Sequence, residues 1–317
     1  MSEPRDRPFV SIVTPTLNRA ELLEHTLRSV RNQTYANIEH IVMDGGSTDG
    51  TLDLLRRYEG TYPLRWFSAP DRGMYPAINR GFATAKGAVL AYLNSDDLYF
   101  PWSVESVVHS FSLHPDADFV YGDAIAVDDV SGRHAFNFQP PFNGDYVRRW
   151  GFLCQPTVFW RRSVFEEEGG FDESLRYVAD CDYWMRLGGR RAFRKVNEFI
   201  AIERNHAMTL REARSDVLWD ELAAVRSRYV SLHGPGHRLE VVRHHIRAAV
   251  WARVYWIRFA IRSLLPRRAR QGSWSRLLGS GQPRIRWHLL PLRLIPGLSA
   301  RRPRVVEPTR YWLEPPE

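Results

Sequence analysis

The sequence predicts an α/β sandwich, a mostly parallel mixed sheet between helix layers, with a helical basic C-terminal tail. Three observations predict it. Short apolar, β-branched runs alternate with helical periodicity through the first two-thirds of the chain. Polar clusters stand at the ends of those runs. Charge also divides along the chain: from Arg238 to Arg304 there are 16 Arg, no Lys and one acid, Glu240, a net of +15 in a chain whose total is +8. The remainder is therefore −7, an acidic body carrying a basic tail. Such tails point to anionic lipid, nucleic acid or solubility alone.

Composition narrows the classes further. With 44% hydrophobic residues the chain is too apolar to be disordered. Its two cysteines, Cys154 and Cys181, make no disulfide framework and match no metal-finger spacing, so a reducing compartment is expected. Residues 1–8 carry Arg5, Asp6 and Arg7 and no apolar core. They read as a disordered N-terminus rather than a signal peptide, and the Asn32-Gln33-Thr34 sequon is discounted accordingly.

The elements follow in order. Residues 9–14 form a buried-strand run stopped by Pro15, and 20–33 a helix with Leu22, Leu23, Leu27 and Val30 on one face. Residues 38–43 are a second strand ending at Asp44, and 51–58 a helix. A third strand covers 64–67, a helix 75–85 and a fourth strand 89–93. A helix begins near Trp102, and a strand over 118–121 leads into Gly122-Asp123.

Ligands of open α/β sheets sit outside the carboxyl ends of the strands. Thr14-Pro15-Thr16, Asp44, Asn94-Ser95-Asp96-Asp97 and Asp123 all fall at such ends. Turn-making explains any one of these clusters as well as function does; four together mark a site. Asp96-Asp97 puts two carboxylates directly after an apolar strand, where a hard cation could bridge them to substrate phosphates. The alternative is an N-capping pair for the helix near Trp102, which accounts for one Asp at most.

The ordered motifs resemble those of family 2 glycosyltransferases over roughly residues 9–206. Val10-Ser11-Ile12-Val13-Thr14-Pro15-Thr16-Leu17-Asn18-Arg19 is similar to the family's opening, and Val42-Met43-Asp44-Gly45-Gly46-Ser47-Thr48-Asp49-Gly50-Thr51 to its second block. Asp71-Arg72-Gly73-Met74-Tyr75-Pro76-Ala77-Ile78-Asn79-Arg80-Gly81 looks like the middle block of a bacterial branch. Leu93-Asn94-Ser95-Asp96-Asp97 is similar to the metal-binding block. The resemblance implies a GT-A fold, a Rossmann-like nucleotide-sugar-binding sandwich, over 9–210. It also implies inverting transfer of a sugar from a nucleotide diphosphate, UDP in first place, to a glycan or lipid-linked acceptor.

Carried over residue by residue, the resemblance puts Thr14, Pro15, Thr16, Arg19, Asp44, Arg72, Asn94, Ser95 and Asp96 around the nucleotide-sugar. Asp96 and Asp97 meet Mg²⁺ or Mn²⁺, with His206 of Glu203-Arg204-Asn205-His206 as a further ligand. Many members have Asp at Asn94, so the division of Asn94, Asp96 and Asp97 between ribose and metal stays open. The family usually shows Glu-Asp where this chain has Ala179-Asp180, which makes Asp180 the catalytic base. Single displacement needs such a carboxylate to take the acceptor proton. Asp182 is its rival, either at the acceptor or structural, and Gln155 sits where relatives line the acceptor cleft.

Other classes lack their signatures. The turn after the first strand, Thr14 to Arg19, contains none of the glycines of a dinucleotide-binding fingerprint. No Gly-Lys-Ser/Thr turn marks a P-loop. A metal-dependent nucleotidyltransferase of similar fold and a non-catalytic membrane- or nucleic-acid-binding scaffold remain as alternatives. Nucleic acid itself is not an expected partner, because no reader motif accompanies the tail.

Residues 211–237 read as a helical connector. Leu218, Leu222, Val225, Tyr229 and Leu232 recur at heptad-like spacing, which suits a helix packed on the catalytic domain and also offers an oligomer contact over 211–232. Gly234-Pro235-Gly236 breaks the chain. From 238 to 265 a helix places Val242, Ile246, Trp256, Ile257, Ala260 and Leu264 within one arc of ~100°. Arg243, Arg247, Arg258 and Arg262 occupy another arc, the composition of an interfacial helix. With Trp287 to Leu292 as a second shallow contact, 238–317 is read as a basic amphipathic region. It would meet an anionic membrane through 238–298, on the cytoplasmic face. The competing reading is a helix that covers the catalytic domain.

Overall fold

The computed structural model describes residues 7–129, 133–142, 144–151, 153–206, 209, 215–229, 250 and 254. The chain divides into two compact units, residues 1–232 and 233–317. The first six residues of the expected disordered N-terminus and the amphipathic segment expected over 238–298 lie outside the described residues, apart from positions 250 and 254. Among the described residues no helix is long and apolar enough to cross a membrane.

Among the described residues nine strands form one mixed sheet. They are β1 (Val10–Thr16), β2 (Ile38–Asp44), β3 (Leu64–Ser68), β4 (Val89–Tyr92), β5 (Leu98–Tyr99), β6 (Phe119–Asp128), β7 (Arg133–Asn137), β8 (Phe159–Arg161) and β9 (Phe193–Asn205). Their order is β3-β2-β1-β4-β8-β6-β9-β5, with β7 paired to β6. The first four strands are mutually parallel, and β6 and β9 are parallel. The helices are α1 (Ala20–Arg31), α2 (Thr51–Tyr58), α3 (Met74–Thr84), α4 (Ser103–Leu113), α5 (Gly144–Trp150), α6 (Arg162–Glu168), α7 (Ala179–Leu187) and α8 (Ser215–Tyr229).

Burial on both faces explains why the first strands read as continuous apolar runs. Alternation sends Val13, Ile41, Leu90 and Tyr92 into one core layer with Ile78 of α3 and Trp184 of α7. Val10, Ile12, Val89 and Ala91 enter the other layer with Val30 of α1 and Val107 of α4. Leu222 and Val225 of α8 are buried in the first layer, with Leu218 and Tyr229 packed against it. The described part of the heptad-like stripe, Leu218 to Tyr229, thus packs on this core, and Leu232 lies outside the described residues.

Three expectations are corrected. Pro15 does not stop β1, which continues to Thr16 paired with Asp44. The carbonyls of Phe9 and Val13 face β4, whereas Val10 and Thr16 bond toward β2. By this parity the missing N–H of Pro15 faces β4, where the ladder has already ended at Val13 and Tyr92. Arg7 and Pro8 are anchored, their carbonyls accepting from Asn37 Nδ2 and the Tyr35 hydroxyl. Asp123 is not at a strand end but inside β6, at an irregularity in its pairing with β9.

Candidate active site

The chain lays β2 and then β3 outward from one side of β1, then returns to the other side of β1 for β4. The order reverses between β1 and β4, so a ligand crevice opens at their carboxyl ends. Thr16, Asp44 and Asn94 to Asp97 all lie there, and the β1–α1 loop ties them together. Arg19 Nη1 donates to Asp96 Oδ2 at 2.6 Å. The Asn18 amide donates to Ser47 Oγ at 2.7 Å, and that hydroxyl donates to Asp44 Oδ1 at 2.5 Å. Asn18 adopts φ 52°, a left-handed conformation that asparagine tolerates, and its side chain accepts from the Thr48 amide. Asp49 accepts from both the Ala20 and Thr51 amides, so one carboxylate serves the first turns of two helices. Asp44 and Asp96 therefore converge at one edge, as the sequence predicts.

Asp44 is buried, and its Oδ2 accepts from the Gly46 and Ser47 amides and the Ser68 hydroxyl. A Cβ at Gly45 would meet Asp71 Oδ2 at 2.8 Å, so glycine lets the segment carrying exposed Arg72 close on this turn. Thr14 is placed differently. Its hydroxyl is hydrogen-bonded to the Nε2 of buried His40 at 2.8 Å, on the neighbouring strand β2. Burial pushes His40 down to about 3, so the ring is neutral there. Thr16 Oγ1 and Asn94 Oδ1, at the ends of β1 and β4, are buried without a hydrogen-bond partner. Two such orphans at the switch point are chemically suited to a polar ligand.

Asp96 and Asp97 have different environments. Asp96 faces Arg19 and, at 3.1 Å, His206 Nε2. Burial works to raise its proton affinity, but the His206 hydrogen bond and the Arg19 charge prevail and hold it low. Asp97 turns away, its Oδ1 accepting the Arg204 amide, and burial beside Asp96 and Glu203 raises its proton affinity well above the carboxylate range. Neither caps α4, whose N-cap is Trp102 with no side-chain cap, so the capping alternative is excluded.

A divalent cation fits Asp96 and His206 as oxygen and imidazole donors. Among the described residues no group of three or more His, Cys, Asp or Glu is placed to hold an ion. Diphosphate oxygens would have to complete the coordination, as is usual for Mg²⁺ at phosphate sites. The acidic pair thus divides, with Asp96 facing Arg19 and His206 and Asp97 on the backbone of β9.

Asp180 occupies the first turn of α7. Tyr75 of α3 donates to its Oδ1 at 3.2 Å, and Tyr92, the last residue of β4, hydrogen-bonds to it as well. Burial raises Asp180 above its ordinary value, partly offset by the Cys181 amide and the two tyrosines. Through Tyr92, Asp180 is linked to the same strand end that carries Asn94. The two tyrosines were missed as site residues, although Tyr75 lies within the middle motif; Tyr92 gives no signal beyond an apolar strand.

Asp182 points elsewhere, its Oδ1 accepting from Arg228 and Tyr229 of α8 at 3.2 and 2.9 Å, so the geometry matches the structural alternative. Gln155 is buried, donating to the Tyr92 carbonyl at 2.7 Å and accepting from Asn94 Nδ2 at 3.1 Å. It braces the end of β4. Asp123 pairs with Lys195 at 2.9 Å and accepts from the Gln139 amide, while Gln139 Oε1 accepts from the Cys154 amide. Through Gln139, Asp123 is thus connected to Cys154, the neighbour of Gln155.

Comparison with known proteins converges on one family. The pattern described as Glycosyl transferase family 2 matches residues 11–196. A PGL/p-HBAD biosynthesis glycosyltransferase of Mycobacterium bovis is 34% identical over 182 residues, covering 56% of this chain and 69% of the relative. An uncharacterised glycosyltransferase of Rickettsia typhi is 30% identical, over 57% of this chain and 58% of its own length. Among solved structures, S. aureus TarS 1–349 in complex with UDP-GlcNAc superposes with a TM-score of 0.57 at 17% identity, over 68% of this chain and 65% of that one. The mannosyltransferase PcManGT of Pyrobaculum calidifontis, in complex with GDP-Man and Mn²⁺, gives 0.50 at 21% identity, over 67% and 61%. These structural likenesses establish the GT-A fold.

Proposed function

This chain belongs to glycosyl transferase family 2, and from that premise we propose that it transfers a sugar, with inversion, from a UDP-sugar to an acceptor hydroxyl. The observation that carries the reading is Asp180, a carboxylate of raised proton affinity held by two tyrosines and linked to the nucleotide-side strand end. The acceptor oxygen attacks the anomeric carbon, and its proton passes to Asp180. The bond from that carbon to the diphosphate breaks, with its electron pair leaving on the phosphate oxygen. Asp44 faces the base, Arg72 lies beside the base or diphosphate, and Thr16 and Asn94 offer their partnerless oxygens to the ribose side. Bound at Asp96 and His206, Mg²⁺ or Mn²⁺ would supply charge neutralisation for the departing diphosphate.

The test is a panel of nucleotide-sugars incubated with Mn²⁺ or with chelator, reading nucleotide release and product configuration. UDP release that needs metal and an inverted anomeric centre are expected. A retained configuration would overturn the displacement, and release only from donors with another base would overturn the UDP assignment.

The acceptor we propose is a glycan or lipid-linked glycan, met at the cytoplasmic face of an anionic membrane. The basic composition of the tail supports this: each Arg near such a surface contributes about 1 kcal/mol, and Trp256 and Ile257 stand among those arginines in the sequence. Confinement to two dimensions would raise the effective concentration of a lipid-linked acceptor. The full chain should float with anionic vesicles at physiological salt, and a chain ending after Pro235 should not. If the full chain stays at the bottom of the gradient, the membrane proposal is wrong.

A further inference from the structure

The carboxylate of Glu221, on α8, reaches the segment that introduces Asp180. Its Oε1 accepts the Arg176 amide at 2.8 Å. Its Oε2 accepts the amides of Tyr177 at 2.7 Å and Val178 at 3.1 Å. Three successive N–H groups thus converge on one anion immediately before α7, the arrangement of a backbone nest. Hydrogen bonds to an ionised acceptor are the strong kind. The N-cap of α7, Val178, has no side-chain cap of its own, so the anion at this helix entry comes from another helix. Glu221 lies outside the family-matched residues 11–196.

From the nest to Asp180 the path is short. The Tyr177 carbonyl accepts the Tyr75 hydroxyl at 3.1 Å, and that hydroxyl also contacts Asp180 Oδ1 at 3.2 Å. Glu221 therefore fixes the N–H side of the peptide segment whose carbonyl orients Tyr75. A second tie, from Arg228 and Tyr229 to Asp182, holds α7 from within its first turn. Leu222 and Val225, buried in the core, set the position from which Glu221 reaches.

We propose that Glu221 is a positioning residue for Asp180, acting through the Tyr177 peptide and the Tyr75 hydroxyl. The proposal rests on the reading of Asp180 as the base. Without the carboxylate, the 176–178 amides turn to water and the Tyr177 carbonyl is released. Tyr75 then loses one of its two partners, and Asp180 loses its fixed orientation toward the acceptor oxygen. Donor binding depends on β1, β2 and β4 and is left in place.

The test uses the full chain carrying Glu221→Ala, assayed well below its melting temperature with the donor that supports turnover. Misplacement of a reacting group by about 1 Å costs on the order of 100-fold, so kcat should fall about 10- to 100-fold, with UDP affinity in Mn²⁺ within about twofold. The acid limb of the kcat–pH profile should move, because the Tyr75 hydroxyl shares its one proton between the Tyr177 carbonyl and Asp180, and displacing that carbonyl changes the share Asp180 receives. Glu221→Gln keeps the volume and one acceptor oxygen and should recover part of kcat; it also serves if the Ala variant fails to fold. A merely structural role leaves the acid limb where it was. The proposal is overturned if folded variants keep kcat within about threefold, if UDP affinity falls in parallel, or if the limb does not move. Asp180→Asn separates the two readings. Retained turnover there removes the base itself, whereas lost turnover there with intact Glu221 variants removes only the positioning role.

Discussion

Asp96→Asn is expected to uncouple donor binding from metal. The parent protein should bind UDP far more tightly with Mn²⁺ than with chelator, and the variant should bind it about equally in both. Asp96 is the carboxylate that Arg19 and His206 both face, and its low proton affinity keeps it ionised through neutral pH. Asn removes the charge while preserving volume. Loss of a supporting partner already costs about 10- to 100-fold in metal affinity, and loss of a ligand should cost at least that. The change also leaves Arg19 beside a neutral group. The pair is mostly buried, with side-chain exposures of 20% and 10%, so some loss of stability accompanies it. Calorimetric UDP titrations at a temperature where both proteins are folded separate the effects. An undiminished Mn²⁺ enhancement in the variant would remove Asp96 from the donor set.

The parallel half of the sheet was legible because each strand is buried on both faces and writes itself as an apolar run. The second half was not. β5 has two residues and β8 three, too short for any period to register. β9 carries Arg194, Lys195, Asn197 and Glu198 among its early positions, and its pairing with β6 makes these residues a strand. Gly122-Asp123 reads locally as a turn, yet a Cβ at Gly122 would lie 2.9 Å from Ile200. That glycine serves close packing at a bulge, not chain reversal.

The site was legible to the same degree. Asp44, Asp96 and the β1–α1 loop were readable because strand-end motifs carry them within a few residues. The separate environments of Asp96 and Asp97 depend on His206 and Arg204, more than a hundred residues away in the chain. The hydrogen bond of the Thr14 hydroxyl was unreadable for a similar reason, since only the neighbouring strand brings His40 to it. Glu221 looks like an ordinary charge on a solvated helix until α7 is packed against it.

Asp180→Asn tests the account most directly. Asp180 can take a proton only when ionised, so turnover should fall as pH drops through a value above the ordinary one for an aspartate, the direction in which burial shifts it. Asn keeps the shape and can still accept from Tyr75, but it cannot take the acceptor's proton. General-base contributions run from about 10² to 10⁴-fold. The measurement is kcat together with UDP affinity in Mn²⁺ for parent and variant. A kcat loss of at least about 100-fold with UDP affinity unchanged is expected. Turnover near the parental rate in a folded Asp180→Asn protein would contradict it.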